Sequence, residues 1–225
     1  GSPGMGKTAL ALTILRHAAV VEKLPVGIFS LDLNSTHIAF RILCMDAKVD
    51  THLVRTGNLP KSQWKALSSS IATLAETSIF IDDVKSLSPL KMKHNAIRLK
   101  AEHDIKLLII DNNQTTQKQG TQHLTYHLLK QMAVELDIPI VVTSPLAREP
   151  EERKNKRPLI NDFHHAVEIE ESADVIMLLY RPWIDTLDEA DRELAEVIIA
   201  KSRNGPTGIV NLRFINKYAV FENVI

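Results

Sequence analysis

The chain has 225 residues, 44% of them hydrophobic and only 5% aromatic, which allows one large domain or two small ones around an aliphatic core. Its 27 Lys and Arg residues balance its 27 Asp and Glu residues, so bulk charge does not indicate a nucleic-acid binder, and any phosphate contacts must come from a local cluster. The single cysteine, Cys44, excludes an intrachain disulfide. Because the sequence has no signal-like or membrane-spanning segment, we expect a cytoplasmic protein without membrane contacts.

The chain opens with a phosphate-binding pattern, G-x-x-x-x-G-K-[ST]. Backbone N–H groups of such a loop surround a triphosphate, while its lysine reaches the β- and γ-phosphates and its hydroxyl holds Mg²⁺. A helix predicted over 9–15 would direct its N-terminus at the anion. The pattern therefore predicts that the chain binds a nucleoside triphosphate, a plain glycine-rich turn being the alternative. The residues assigned to the nucleotide are Gly1, Ser2, Pro3, Gly4, Met5, Gly6, Lys7 and Thr8.

Strand and helix patterns alternate along the chain. The predicted strands cover 26–31, 78–81, 106–111, 140–144, 175–180, 195–201, 209–215 and 218–222. The predicted helices cover 35–47, 59–76, 89–103 and 121–136. In the helix over 59–76, Trp64 lies at helical spacing with other apolar residues and is predicted to be in the core or in an interface.

This order of elements predicts an α/β fold. Repeated strand–helix–strand units imply a mainly parallel, twisted sheet flanked by helices, and the last strands, which have no helices between them, should be antiparallel. Ligands bind such sheets at the carboxyl ends of the strands, where Thr8, Leu31, Asp111 and Ser144 fall. A phosphate-binding loop normally follows a buried strand and nothing precedes Gly1, so we expect a fragment that lacks at least one central strand.

Two carboxylates end apolar strands. Asp111 ends the strand over 106–111, where the acidic Mg²⁺ partner of a phosphate-binding loop is found; a simple turn former is the alternative. Asp32 follows the strand over 26–31, a position that suits a carboxylate orienting the attacking water. Its alternative role is to cap the next helix.

Several stretches together resemble one family. They are the loop and helix at 1–12, Phe-Ser-Leu at 29–31, Arg-Thr-Gly-Asn-Leu at 55–59, Ile-Asp at 110–111, Lys-Arg-Pro at 156–158, and Ala-Glu-Val-Ile-Ile-Ala-Lys-Ser-Arg-Asn-Gly-Pro-Thr-Gly at 195–208. With them the chain resembles the C-terminal motor domain of DnaB-type replicative DNA helicases over essentially its whole length. The resemblance implies one RecA-like ATPase domain over 1–225.

The resemblance also implies a mechanism and partners. Family members form hexameric rings that use ATP and Mg²⁺ between subunits to move along single-stranded DNA, with a primase or a loader as replication partners. It makes Lys7 a phosphate ligand, and Thr8 and Asp111 the metal ligands. Lys201 and Arg203 would reach the γ-phosphate of the neighbouring subunit, which suits cations offered to the charge that develops in phosphoryl transfer. From the residues alone, both could instead be solvated on an edge strand.

Three departures from the family's pattern fall near the nucleotide. Asp32 stands where the family has its catalytic glutamate, and its shorter side chain draws the carboxylate back by roughly 1–1.5 Å, which weakens water activation. Pro145 replaces the sensor glutamine and has no amide to read a γ-phosphate. Asn112 and Asn113 replace an aromatic and an aliphatic residue.

The fourth departure is the loop that contacts DNA in the family, which is Asp-Phe-His-His-Ala-Val at 162–167 here. His164 replaces a permanently charged arginine, and the β-branched Val167 replaces a flexible glycine. Other basic candidates lie at 147–158, expected to be a mobile loop, or after Asp111, and could equally be a solvated charge run among glutamates. They are Lys118, Arg148, Arg153, Lys154, Lys156 and Arg157.

Two functional interpretations follow. The first is an ATP-dependent replicative helicase motor that couples hydrolysis at subunit interfaces to translocation on single-stranded DNA and duplex unwinding. The alternative is a catalytically weakened paralogue that binds nucleotide and acts as a structural or regulatory subunit, as Asp32, Pro145 and His164 would indicate. A recombinase-like or clock-type ATPase is disfavoured by the stretches at 55–59 and 201–208.

Overall fold

The computed structural model describes residues 2, 4–83, 88–111, 126–147, 153 and 155–224. Its strands form two four-stranded sheets. The first is parallel in the order β2-β1-β3-β4, and the second is antiparallel in the order β5-β6-β7-β8. The strands are β1 (Val26–Ser30), β2 (Ile79–Asp82), β3 (Leu107–Asp111), β4 (Ile140–Thr143), β5 (Val175–Tyr180), β6 (Leu194–Ser202), β7 (Gly208–Ile215) and β8 (Val220–Asn223).

Eight α-helices are seen in the described part of the chain. They are α1 (Lys7–Arg16), α2 (Ser35–Ala47), α3 (Thr51–Arg55), α4 (Lys61–Ala75), α5 (Pro89–His103), α6 (Tyr126–Leu136), α7 (Ala166–Ser172) and α8 (Trp183–Thr186). The bounds predicted for α2 and α5 are confirmed, and the part of the helix predicted over 121–125 lies outside the described residues. None of these helices combines the length and apolar character needed to cross a membrane.

Side-chain caps explain where several helices begin. Asn34 accepts a hydrogen bond from the N–H of His37 at the start of α2, and Ser88 accepts one from Lys91 at the start of α5, whose first residue is a proline. The short helix α3 was not predicted. It begins after Asp50, whose carboxylate accepts from two backbone N–H groups, but five residues are too few to show a helical period.

The parallel sheet is covered by helices on both faces. Every residue of β1 and β3 is buried, as expected of parallel strands packed on both sides. On one face Ile28 and Ile109 pack with residues of α1 and α2. On the other face Phe29 and Leu108 pack with residues of α5 and α6. The predicted α/β architecture is therefore confirmed, including the antiparallel strands at the C-terminal end, which form a hydrogen-bonded sheet of their own.

Helix α1 lies between the two sheets. Leu12 and Leu15 belong to the core of the parallel sheet, whereas Met5 and Ala9 pack against Phe214 and other residues of the antiparallel sheet. The loop that opens α1 is thereby placed between the carboxyl end of β3 and the β7–β8 strands.

Two local predictions differ from the structure in part. Trp64, which was predicted to be in the core or in an interface, is 52% exposed on α4. It is therefore not a core residue of this chain, and its place in an interface stays a prediction, whereas Leu67 on the same helix is buried. The last strand begins at Val220 rather than at residue 218, because a turn occupies 216–219 and Ala219 has a φ of 51°. That left-handed backbone ends the turn and cannot continue a strand.

Candidate nucleotide site

The phosphate-binding loop needs its glycines for two different reasons. Gly4 and Gly6 have φ values of 77° and 97°, in a region that residues with a Cβ rarely adopt. A Cβ on Gly6 would also lie 3.1 Å from the Phe221 ring. The buried Met5 side chain anchors the loop between them. Gly1 and Pro3 lie outside the described residues, so their predicted contacts stay predictions.

Lys7 is held at the first turn of α1. Its Nζ donates a hydrogen bond to the backbone oxygen of Ser2 at 3.1 Å. Burial lowers the pKa of Lys7, and the negative charge of Asp111 opposes this shift. An ammonium that has lost part of its hydration binds an anionic phosphate more strongly than a fully solvated one.

Two hydroxyls converge on a buried carboxylate beside Lys7. Asp111 is fully buried at the end of β3. Its carboxylate accepts hydrogen bonds from Thr8 Oγ1 at 3.1 and 2.9 Å and from Thr143 Oγ1 at 2.6 Å. Asp111 and Thr143 are register partners on the adjacent strands β3 and β4. This oxygen-rich group fits Mg²⁺, which takes one or two side-chain ligands together with phosphate oxygens and water.

Sequence reasoning missed Thr143. Its only signal is a polar residue at the end of an apolar strand, and that signal has no meaning until the register of β3 and β4 is known. Once the register is fixed, Thr143 must face the same end of the sheet as Asp111.

The loop borders a cavity of about 710 Å³, a size typical of small-molecule sites. Lys7 and Thr8 line it, as do Asp32 after β1 and Pro145 after β4. The structure therefore brings together the loop and two of the positions that depart from the family's pattern. Asp32 is exposed, and the proposal that it caps α2 is wrong because Asn34 is the capping residue.

The wall formed by α2 and α3 is basic. His37 and Arg41 lie one turn apart on α2, and His52 and Arg55 lie on α3; all four line the cavity. Sequence reasoning missed this wall, apart from Arg55 as part of a family stretch, because it depends on how two separate helices pack.

Aromatic side chains also line the cavity. Phe214 of β7 lines it, and the Arg181 guanidinium lies 4.2 Å from the centre of the Phe214 ring. Arg181 is buried, and burial lowers its pKa. The buried charge is thus stabilised by the ring face.

Lys201 and Arg203 do not line the cavity of their own chain. Lys201 lies in β6, and its Nζ donates to the backbone oxygens of Glu170 and, at 2.7 Å, Ala173. Arg203 follows β6 and pairs with Asp174 at 3.3 Å. The edge-strand part of the alternative is wrong, because β6 lies between β5 and β7, whereas Arg203 is solvent-exposed as that alternative expected.

Three of the basic residues at 147–158 are engaged within the chain. Arg153 pairs with Asp162 at 2.6 Å and Lys156 with Asp185 at 3.3 Å. Arg157 binds the buried Glu196 through two hydrogen bonds of 2.7 and 2.6 Å. For these three residues a solvated charge run is therefore the wrong description, while Lys118, Arg148 and Lys154 lie outside the described residues.

The segment over 162–167 is mostly ordered into short elements. A 3₁₀ turn over Ile160–Asp162 leads to α7, which begins at Ala166. Asp162 is buried and accepts from the N–H of Leu159 at 2.7 Å. His164 is exposed, and Val167 is 71% exposed, so neither is held by the core.

The fold and the loop define an α/β protein of the P-loop class with a RecA-like arrangement. The chain belongs to the family described as DnaB-like helicase C terminal domain, whose model matches residues 1–223. It is 34% identical to the replicative DNA helicase DnaB of Geobacillus stearothermophilus and to the replicative DNA helicase DnaC of Bacillus subtilis (strain 168), each over 99% of this chain and 51% of the relative. The chain thus spans about half the length of these curated relatives.

Solved structures agree with this assignment. A DnaB-like replicative helicase, studied for its interactions with primase, superposes with a TM-score of 0.89 at 27% identity, over 100% of this chain and 56% of the other. A second solved structure, that of an ATPase domain, gives the same TM-score and identity over 100% of this chain and 82% of the other. The resemblance to the DnaB family and the RecA-like fold are therefore confirmed.

Proposed function

We propose that residues 1–225 form the ATP-hydrolysing motor domain of a replicative DNA helicase. The observation that carries the proposal is the buried Asp111 carboxylate, bound by the hydroxyls of Thr8 and Thr143 directly beside Lys7. Lys7 and Thr8 of this arrangement line a cavity large enough for a nucleotide. Family membership supports the same assignment.

In this proposal the chain's own residues position ATP and Mg²⁺. ATP with Mg²⁺ supplies the phosphoryl group that is transferred to water. Lys7 neutralises charge on the β- and γ-phosphates, and Thr8 and Asp111 hold the metal. Thr143 fixes the Asp111 carboxylate. Asp32 orients the attacking water from the same cavity.

The proposal also requires a second copy of the chain. Lys201 and Arg203 do not line the cavity of their own chain, so they can stabilise a γ-phosphate only across a subunit interface. A ring of subunits, six in the family's pattern, supplies each cavity with such a pair. The ring is proposed to translocate along single-stranded DNA. A primase or a loader would be its replication partner, and its location would be the cytoplasm.

A second candidate function is a weakened paralogue with a structural or regulatory role. It is favoured by Asp32 and Pro145, because both line the cavity and neither matches the residue that the family uses there. Under this candidate, Mg²⁺ and ATP bind normally. Turnover is then slow and responds poorly to single-stranded DNA.

A phosphate-release assay on the full-length protein, with and without single-stranded DNA, tests both candidates. Lys7→Ala is the key variant, and Lys91→Ala on the exposed surface of α5 is its matched control. DNA-stimulated turnover of about 10 s⁻¹ that Lys7→Ala abolishes and Lys91→Ala preserves would establish the motor. Slow, unstimulated turnover with intact nucleotide binding would establish the weakened paralogue. Calorimetry that detected no nucleotide binding would refute both.

A further inference from the structure

Asp174 contacts Arg203, one of the two cations that we assign to the neighbouring subunit's site. It lies just before β5, at the place where β5 pairs with the end of β6. Its backbone oxygen accepts from the N–H of Arg203 at 2.8 Å. Its carboxylate pairs with Arg203 Nε at 3.3 Å and with Lys130 Nζ of α6 at 2.5 Å. Asp174 therefore holds both the main chain and the side chain of Arg203.

Asp174 is a single negative charge among three positively charged side chains. Lys130, Arg203 and Lys201 all interact electrostatically with this one carboxylate. The hydrogen bond from Lys130, followed by the charges of Lys130, Arg203 and Lys201, lowers the pKa of Asp174. The carboxylate is thus ionised at neutral pH and reduces the repulsion among three neighbouring cations.

We propose that Asp174 is a positioning residue for Arg203, holding the guanidinium so that it can bind a γ-phosphate in the adjacent subunit. This inference rests on the proposed function, in which Arg203 acts across the interface. Asp174 itself touches neither nucleotide nor metal in this scheme, since it does not line the cavity.

The contact geometry suits such a role. A guanidinium has five N–H donors in a rigid fork, and a carboxylate at Nε leaves the remaining donors for a phosphate. The Arg203 side chain is 52% exposed, so it is accessible to another subunit while anchored at its base. Without the carboxylate, Arg203 would lose this anchor and be repelled by Lys130. A displacement of about 1 Å from productive geometry costs on the order of 10²-fold in rate.

Steady-state ATP hydrolysis by the full-length protein tests the inference through a double-mutant cycle. The variants are Asp174→Asn, Arg203→Ala and their combination. We expect Asp174→Asn to lower kcat roughly 10-fold or more with KM for ATP changed less than about twofold, because the subunit's own cavity is intact. Arg203→Ala should lower kcat by about 10³-fold, and adding Asp174→Asn should then have no further effect.

The matched control is Asp104→Asn. Asp104 is also a surface carboxylate bound by two lysines, Lys100 and Lys106, and its left-handed backbone, with a φ of 48°, accepts asparagine. It should leave kcat unchanged. Asp174→Glu, which keeps the charge, should recover most of the rate.

The outcomes separate the two proposals. If Arg203→Ala leaves kcat unchanged, the assignment of Arg203 across the interface is wrong and this inference falls with it. If Arg203→Ala abolishes turnover but Asp174→Asn has no effect, only the role of Asp174 is overturned. The role is also overturned if Asp174→Asn lowers kcat equally in both backgrounds, or if its loss of rate matches a loss of folded protein in thermal melting.

Discussion

Thr143→Val tests whether the hydroxyl of Thr143 fixes the Asp111 carboxylate. Valine has nearly the same shape as threonine and suits a strand, so the change keeps the side-chain shape and removes the hydroxyl that donates the 2.6 Å hydrogen bond to Asp111. A hydrogen bond to a charged group contributes about 1.5–3 kcal/mol. Because the carboxylate is fully buried, water cannot replace the lost donor.

We therefore expect Thr143→Val to lower the free energy of unfolding by about 2 kcal/mol. For a chain of this size that corresponds to a fall in Tm of roughly 4–8 °C. Orienting partners of metal ligands affect metal affinity about 10- to 100-fold, so binding of ATP in the presence of Mg²⁺ should weaken by a similar factor.

Urea unfolding followed by circular dichroism, and calorimetric titration with ATP and Mg²⁺, give the two measurements. The matched control is Thr73→Val on α4, whose hydroxyl bonds an exposed backbone oxygen and whose loss should change stability by no more than about 0.5 kcal/mol. If Thr143→Val behaves like this control in both measurements, the Thr143–Asp111 contact does not organise the site.

Three further predictions concern other parts of the molecule. Asp32→Glu combined with Pro145→Gln should raise ATP turnover in the phosphate-release assay, because both side chains line the cavity; no gain would show that these positions do not limit hydrolysis. Glu196→Gln should lower the free energy of unfolding by about 1–2 kcal/mol, because it weakens a two-pronged pair with the partly exposed Arg157, and an unchanged thermal midpoint would contradict this. Burial raises the pKa of the Cys44 thiol from 9.0 to about 11. The contribution of the protonated thiol to the free energy of unfolding is therefore complete below pH 9 and is lost as the pH rises towards 11. When unfolding is measured across this pH range, Cys44→Ala should lack this loss of stability.

The sequence was most informative where local patterns determine structure. The buried run over 107–110 predicted β3, and the phosphate-binding pattern predicted the loop geometry, because backbone conformation there depends on the glycines themselves. Helix bounds were accurate where a capping residue marks them, as at Asn34 and Ser88. The roles assigned to the residues of the loop remain predictions.

What the sequence could not provide depends on packing between distant segments. The contact of Thr143 with Asp111 requires the register of two strands, and the basic wall of the cavity requires the placement of α3 against α2. Trp64 shows a related limit, since helical spacing defines an apolar face but does not show whether the same chain covers it. The pair of Arg157 with Glu196 likewise joins residues far apart in sequence.

The position of α1 has a consequence for how this chain unfolds. One side of the helix packs into the parallel sheet and the other side into the antiparallel sheet, so neither sheet can lose its structure without exposing α1. A nucleotide held at the first turn of α1 would therefore raise the melting temperature of both sheets by the same linkage term. When the protein is heated in the presence of nucleotide, the parallel and the antiparallel sheet should unfold in one transition with the same melting temperature.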